Sequence, residues 1–178
     1  LPLIPFLNVT SALMQIQANP INREGKRVTP VAWEQGCLEE VCGSCSMLIH
    51  GRPRQGCSAL LDKIVQELGQ TTITLAPLTK FPLIRDLAVD RSSMFESLKR
   101  VKAWIELSDT RAPAPSFRIS QELQETQYPL ATCMSCGCCT EGCPQISKSS
   151  KFIGPAVISQ VRLFNSHPVG KLIASDRN

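Results

Sequence analysis

A chain of 178 residues is long enough for one ordinary domain or two small ones, and 43% hydrophobic with 19% charged residues excludes a disordered protein. The net charge of +4 lies in residues 91–178, but the basic residues are scattered and aromatic residues are only 5%, which argues against nucleic-acid binding. Nine cysteines, an odd number, argue against a secreted disulfide framework and favour reduced thiols that hold metal.

No signal peptide is recognisable, and no apolar run is long enough to cross a membrane. The apolar opening stretch, residues 1–9, is too short and is interrupted by two prolines and an asparagine. We therefore expect any link to a membrane to come through a partner protein.

The first predicted element is a helix over residues 9–18. Asn8 or Thr10 is placed to cap its start, and Asn19-Pro20 would close it. Its apolar face, with Leu13, Ile16 and Gln17, is short.

Four cysteines of the first half then follow the spacing C-x4-C-x2-C with a distant fourth thiol. This spacing, typical of a plant-type [2Fe–2S] cluster, is formed by Cys37, Cys42, Cys45 and Cys57. Residues 46–50, a turn at Gly51-Arg52 and the segment from Pro53 predict a hairpin between the third and fourth cysteines. Such a hairpin would return Cys57 to the side of Cys45.

Glycines flank this loop at Gly36, Gly43 and Gly56, where they would let backbone amides approach a cluster and adopt positive φ. The alternative is a zinc site, because four thiolates also hold zinc. Zinc ligands usually come as two short C-x2–4-C pairs, so a single short pair with a four-residue spacer fits zinc poorly.

Between the two cysteine regions the pattern is weaker. Residues 58–68 have apolar side chains at helical spacing, but their place beside the hairpin favours a strand over residues 59–64 followed by a loop. Residues 72–76 predict a strand, and residues 77–90 predict a linker. Ser93 and Glu96 form a capping box that predicts a helix over residues 94–106. The remaining predictions are a loop around Pro113 and Pro115, a polar helix over residues 119–127, and a helix over residues 155–165 stopped by His167-Pro168.

The second cysteine run has the spacing C-x2-C-x2-C-x3-C followed by proline. It is formed by Cys133, Cys136, Cys139, Cys143 and Pro144. This is the bacterial iron–sulfur motif, whose fourth thiolate typically reaches another cluster when two clusters share a domain. Cys138 lies inside the run without an assigned role.

Of the histidines, His50 adjoins a turn and His167 ends a helix, and both are interpreted as structural or solvated.

The two cysteine motifs in this order resemble the iron–sulfur subunit of succinate dehydrogenases and fumarate reductases, closest to the type with a single diheme anchor in Gram-positive bacteria. The stretches that carry the resemblance are CLEEVCGSCSMLIHGRPRQGC, FPLIRDLAVDRS, CMSCGCCTEGCP and FIGPAVISQVRLFNSHP. It implies an α+β fold, with a β-grasp plant-type ferredoxin domain in residues 1–90 and an all-helical bacterial-type ferredoxin domain in residues 91–178.

The resemblance also implies three cofactors. Cys37, Cys42, Cys45 and Cys57 would hold a [2Fe–2S] cluster. Cys133, Cys136 and Cys139 would hold a [4Fe–4S] cluster, and Cys143 would hold a [3Fe–4S] cluster. Cys138 matches a position that is not a ligand in the family.

The implied partners are a flavoprotein subunit with covalent FAD, a cytochrome b membrane anchor and a quinone. The protein would lie peripherally on the cytoplasmic face of the cell membrane. Many family members have a tryptophan shortly after the proline of the second motif, but here the segment after Pro144 is QISKSSKF. The resemblance therefore leaves the quinone contact open, with menaquinone as a candidate.

Counting ligands indicates that thiolates are missing, because a [4Fe–4S] and a [3Fe–4S] cluster together need seven. No cysteine follows Cys143, and the family has three more in a later segment as well as strands before the position of Leu1. We therefore expect an internal fragment that lacks N-terminal strands of the first domain and the C-terminal part of the second. Only its [2Fe–2S] site would be complete.

The function that follows is one-electron transfer between a flavoprotein and a quinone, with no catalytic residue on this chain. The family leaves the direction open, so fumarate reduction is an alternative to succinate oxidation. From a different class, the alternative is a zinc-stabilised interaction module.

Overall fold

The computed structural model describes residues 4–106 and 118–177, so the loop predicted around Pro113 and Pro115 lies outside the described residues. The described chain mixes helices with short strands, as predicted. Backbone contacts divide it into two compact units. The first comprises Leu1–Arg91 and Met134–Gly142, and the second comprises Ser92–Cys133 and Cys143–Asn178.

The first unit opens with helix α1, Val9–Ala18, which confirms the predicted bounds. Of the two candidate caps, Asn8 fills the role, and its Oδ1 accepts a 2.8 Å hydrogen bond from the Ser11 N–H. This bond satisfies one of the amides that the first turn of a helix leaves unpaired. Val9 and Leu13 are buried and turn the helix towards the core.

The predicted hairpin is also confirmed, as strands β1 (Ser46–Ile49) and β2 (Arg52–Gln55). They pair antiparallel with Ser46 opposite Gln55. A short strand β3, Leu75–Ala76, joins the other edge of β1 and gives the order β2-β1-β3. Strand β3 covers only the end of the predicted strand over residues 72–76.

The strand expected over residues 59–64 is wrong, because the chain forms helix α2 there, Leu61–Leu68. Its helical spacing buries Ile64 while Leu61 and Leu68 pack against the same core. Gly69 ends the helix in the left-handed conformation at φ 64°, a common helix stop. Packing of the apolar face against the core therefore stabilises a helix here instead of the predicted strand.

The core of the first unit lies between α1, α2 and the three-stranded sheet. Its buried members are Val9, Leu13, Met47, Ile49, Ala59, Ile64 and Leu87. They come from segments scattered between residue 9 and residue 87, so the core depends on long-range contacts.

The linker predicted over residues 77–90 is wrong as well. Strands β4, Leu83–Arg85, and β5, Ala88–Val89, form a small antiparallel hairpin there. Asp86, at φ 49°, makes its turn, and its carboxylate accepts a 2.7 Å hydrogen bond from the Ala32 N–H. The prolines suggested a linker, but the segment is held in place by contacts with residues about fifty positions earlier.

The first unit also contains α5, Cys138–Gly142, a single short helix that contacts β2. The Glu141 carboxylate accepts hydrogen bonds from the Thr79 hydroxyl and from the Lys80 N–H. These contacts hold α5 in place within the first unit.

The second unit is helical in its described part. Helix α3 is Ser92–Arg100, so the predicted helix over residues 94–106 starts and stops too late. Ser93 lies inside the first turn, and the predicted capping box is therefore wrong. The chain leaves the helix at Val101, which is buried, and Lys102 has a φ of 47°.

Two longer helices pack together in this unit, α4 (Gln121–Ala131) and α6 (Pro155–Ser166). Helix α4 is capped by the Ser120 hydroxyl and runs four residues beyond the predicted end at 127. Helix α6 confirms the predicted start at Pro155 and the predicted stop at His167. A kinked 3₁₀ segment, Gly170–Arg177, packs on α6.

Arg177 anchors that segment. It is a buried arginine, with only 4% of its surface exposed. Its guanidinium donates to the carbonyls of Lys102, Trp104 and Gly170 and to the Asn165 side chain. It also lies 5.8 Å from the centre of the Phe164 ring, within the range of a cation–π contact.

Candidate metal centre

The β1–β2 hairpin brings the third and fourth cysteines of the first motif together. Cys45 directly precedes β1, and Cys57 is separated from the end of β2 by Gly56. The Gly56 N–H donates to the Cys45 carbonyl at 3.0 Å, which extends the ladder beyond the strands. The Cys57 thiol lies close enough to the Cys45 thiol for a hydrogen bond between them to raise its pKa. The expected return of Cys57 to Cys45 is thus confirmed.

The other two cysteines lie in a tight loop whose amides face their sulfur atoms. The Cys37 Sγ accepts N–H groups from Glu39 at 3.4 Å and from Val41 at 3.3 Å. The Cys42 Sγ accepts the N–H groups of Cys37 at 3.4 Å and of Ser44 at 3.5 Å. Amide donors of this kind stabilise negative charge on sulfur and suit thiolate ligands of an iron–sulfur cluster.

The loop holds this geometry at a conformational cost. Leu38 and Glu40 have positive φ values of 63° and 60°, in the left-handed region that non-glycine residues rarely adopt. Two such residues within three positions curl the backbone so that its amides point inwards. Strain of this kind is typically concentrated at functional sites.

The pKa values of two thiols diverge for clear reasons. The Cys37 N–H and the hydroxyl and N–H of Ser44 lower the pKa of Cys42 to about 6, so it is largely thiolate at neutral pH. Burial, followed by the hydrogen bond with the Cys45 thiol, raises the pKa of Cys57 to about 11. A metal that binds Cys57 must therefore displace its proton.

Of the three flanking glycines, Gly43 alone has the predicted positive φ. Gly43 has a φ of 72°, and a Cβ built there would lie 2.7 Å from Cα and Cβ of Cys136. A Cβ on Gly36 would lie 3.0 Å from the Cys42 Sγ, so close approach is required there without positive φ. The positive φ expected at Gly56 is wrong, since Gly56 is absent from the left-handed region, and a Cβ built there would lie 3.2 Å from the Thr10 side chain of α1.

The second cysteine run is divided between the units. Cys136, Cys138 and Cys139 belong to the first unit, and Cys133 and Cys143 belong to the second. Within the first unit, the Cys138 thiol accepts from the Gln55 Nε2 at 3.6 Å. The hydrogen bond with Cys138 lowers the pKa of Cys136 to about 6, and the same bond together with burial raises the pKa of Cys138.

Among residues 4–106 and 118–177, no three His, Cys, Asp or Glu side chains are placed to hold one metal ion. A [2Fe–2S] cluster has a different requirement, namely four thiolates shared between two irons. The paired thiols, the inward amides and the close-approach glycines of the first loop fit that group.

The comparisons with known proteins agree with this chemistry. A family model described as a 2Fe-2S iron-sulfur cluster binding domain matches residues 3–96. The succinate dehydrogenase iron-sulfur subunit of Bacillus subtilis (strain 168) is 51% identical over 177 residues, which is 99% of this chain and 68% of that protein. The chain belongs to the family of iron–sulfur subunits of succinate dehydrogenases and fumarate reductases. It is an electron-transfer subunit of an oxidoreductase.

Two further comparisons place the chain within this succinate dehydrogenase and fumarate reductase family. The fumarate reductase iron-sulfur subunit of Wolinella succinogenes is 34% identical over 134 residues, covering 74% of this chain and 54% of that protein. The Mycobacterium smegmatis Sdh1 complex in the apo form contains a chain that superposes with a TM-score of 0.72 at 25% identity. That match covers 96% of this chain and 70% of the other. The 2Fe-2S match also favours iron–sulfur over zinc in the first loop.

The histidines have structural surroundings. His167 Nδ1 accepts the N–H groups of Val169 at 3.2 Å and Gly170 at 3.3 Å, which orders the chain after α6. His50 is exposed in the hairpin turn at φ 49°. No helix in the described part of the chain is both long and apolar enough to span a membrane.

Sequence reasoning missed two polar side chains around the cysteine loops, Gln55 and Arg91. Gln55 is buried and bonds to Cys138, and Arg91 donates to the backbone of both cysteine loops. Neither residue belongs to a ligand motif, so spacing could not reveal them.

Proposed function

We propose that this chain carries electrons one at a time between a flavoprotein subunit and a membrane quinone, as the iron–sulfur subunit of a succinate:quinone oxidoreductase. The observation that carries the proposal is the convergence of the first-loop thiols, with backbone amides directed at their sulfur atoms. A bound iron–sulfur cluster supplies reversible one-electron chemistry. The chain contributes ligands, spacing and electrostatics.

For the first cluster, we assign the ligands of a [2Fe–2S] group to Cys37, Cys42, Cys45 and Cys57. The contacts support two pairs, because the thiol of Cys42 interacts with Cys37 and that of Cys57 with Cys45. Each pair would hold one iron. Burial of Cys45 and Cys57 keeps water from one side of the site.

For the second motif, the assignment rests on its spacing and on the family. Cys133, Cys136 and Cys139 would hold a [4Fe–4S] cluster, and Cys143 would ligate a [3Fe–4S] cluster. In domain terms we propose a [2Fe–2S] β-grasp domain in residues 1–90 and a helical ferredoxin-type domain in residues 91–178.

Close contact between the two cysteine loops supports electron transfer between the first two clusters. Gly43 lies between two proposed ligands of the first cluster, and its backbone abuts Cys136 so tightly that no side chain fits. Electron tunnelling falls steeply with distance, so direct contact between ligand loops favours a fast step. Glycine at this position is the sequence feature that permits the contact.

The proposed partners are a flavoprotein with covalent FAD, on which the succinate chemistry would occur, a cytochrome b membrane anchor, and a quinone with menaquinone as the candidate. The protein would lie on the cytoplasmic face of the membrane through that anchor. The likeness to the Wolinella succinogenes protein supports a second direction, fumarate reduction, through the same residues.

The ligand assignment is tested with Cys57→Ser in the full-length subunit assembled with its partners. We expect the reduced binuclear signal in electron paramagnetic resonance to be lost or shifted, because a hydroxyl replaces one of four thiolates. Cys138→Ser is the matched control, since Cys138 is no proposed ligand, and it should keep that signal. A binuclear signal unchanged in Cys57→Ser would refute the assignment. A protein containing zinc but neither iron nor acid-labile sulfide would refute the proposed function.

A further inference from the structure

Arg91 lies at the junction of the two cysteine loops of the first unit. Its Nη1 donates to the Gly43 carbonyl at 2.7 Å and to the Cys136 carbonyl at 3.3 Å. Its Nη2 is 3.5 Å from the Glu34 carboxylate. One guanidinium therefore contacts the backbone of a loop of the first motif and the backbone of a loop of the second.

The surroundings separate Arg91 from an ordinary surface arginine. Its side chain is 16% exposed, whereas that of Glu34 is 47% exposed. The carboxylate of the pair is thus more open to solvent screening than the guanidinium. The guanidinium is a cation, so a positive charge lies between the loops.

The contacts use two nitrogens of the planar arginine fork. Two carbonyls on different chain segments accept from the same nitrogen, and a carboxylate is paired with the other. Gly43 receives a second donor, the Ser46 hydroxyl at 2.7 Å, so its carbonyl is held from two sides. Cys136 has Arg91 as the donor to its carbonyl. The guanidinium therefore links the two loops by hydrogen bonds, beside the direct contact of Gly43 with Cys136.

We propose that Arg91 is a positioning residue that fixes the contact between the two cysteine loops and raises the reduction potentials of the clusters they hold. The inference rests on the proposed electron-transfer function. Reduction adds negative charge, which a nearby fixed cation stabilises through Coulomb attraction, weakly screened where the side chain is largely buried. Glu34 opposes this effect, but less strongly because it is more exposed.

The test is a redox titration followed by electron paramagnetic resonance, on the full-length subunit in its assembled complex. For Arg91→Gln we expect the ratio of reduced to oxidised cluster at a fixed potential to fall about tenfold for both clusters, which is about 59 mV for one electron. Arg91→Lys keeps the charge but not the fork, and should stay closer to wild type. Glu34→Gln keeps Arg91 and should shift both ratios in the opposite direction.

The matched control is Arg85→Gln, which removes an exposed arginine paired with Asp86 and should leave both potentials unchanged. Unchanged potentials in Arg91→Gln would overturn the proposal. If the Arg91→Gln complex does not assemble, the Glu34→Gln variant provides the test. Reduction potentials that do not rise in Glu34→Gln would then overturn the proposal. A wild-type complex without either cluster signal would instead refute the proposed function.

Discussion

At the residue scale, the first cysteine loop shows how backbone geometry prepares sulfur for metal. The amides of Glu39 and Val41 meet the Cys37 sulfur because Leu38 and Glu40 accept left-handed backbone conformations. Two other amides of the loop, those of Cys37 and Ser44, act with the Ser44 hydroxyl to lower the pKa of Cys42. The loop therefore has local backbone strain, and this strain is offset by the electrostatic stabilisation of thiolates.

Gly43 gives the sharpest prediction at this scale. In Gly43→Ala the new Cβ would lie 2.7 Å from backbone and side-chain atoms of Cys136, and the loops must separate. Gly51→Ala is the matched control, because its φ of 78° carries similar strain while nothing lies within 4 Å. We expect Gly43→Ala to lose at least about 1 kcal/mol more unfolding free energy than the control, the usual cost of overpacking.

Denaturant unfolding of the intact subunit provides the measurement for the two alanine variants. Equal losses in Gly43→Ala and Gly51→Ala would show that strain alone acts at both positions. The contact between the cysteine loops would then not be tight.

At the element scale, the first unit is assembled from short pieces that need one another. Helix α1 is amphipathic only weakly, and strands β3, β4 and β5 have two or three residues each. Such elements are marginal alone and gain stability from burial in a shared core. Helix ends therefore matter, because each cap fixes where a short element begins.

The cap of α1 provides a test of that dependence. Asn8→Ala removes the oxygen that accepts from Ser11 N–H and from the Thr10 hydroxyl, both at 2.8 Å. We expect a loss of about 1 kcal/mol in the free energy of unfolding, within the usual range for caps. Asn19→Ala at the other end of α1 is the control and should cost less. Equal losses would mean that the cap bond contributes nothing specific.

At the scale of the whole molecule, metal binding and folding are expected to be coupled. The first proposed ligand loop, from Cys37 to Cys45, has no helix or strand of its own, and the core of its unit has seven buried residues. Iron bound by thiolates from both sides of the β1–β2 hairpin would cross-link it. Binding energy at such a site is also folding energy.

Iron removal tests this coupling. Treatment of the intact subunit with an iron chelator should lower its melting temperature by at least about 2 °C, the shift that about 1 kcal/mol gives in a protein of this size. Amide hydrogen exchange should accelerate in β1 and β2 first. Reconstitution with iron and sulfide should restore both values, and a melting temperature that ignores the chelator would contradict the coupling.

The spacing of residues along the chain was enough to predict the cluster chemistry and several secondary-structure elements. The intervals between cysteines predicted the cluster chemistry, and local signals at Asn8, Pro155 and the Gly51 turn predicted α1, α6 and the hairpin. Such signals act between residues a few positions apart, so they can be read without a fold.

Tertiary structure alone decided the rest. Residues 61–68 became a helix because their apolar side chains reach a core built from distant segments. Residues 83–89 form a hairpin that is held by Leu87 in that core and by the bond from the Ala32 N–H to Asp86. Arg91 meets Gly43 and Cys136, which lie 48 and 45 positions away, and no local pattern encodes such a meeting. The physical reason is that cysteine ligands are specified by covalent spacing, whereas the groups that tune them are brought together by folding.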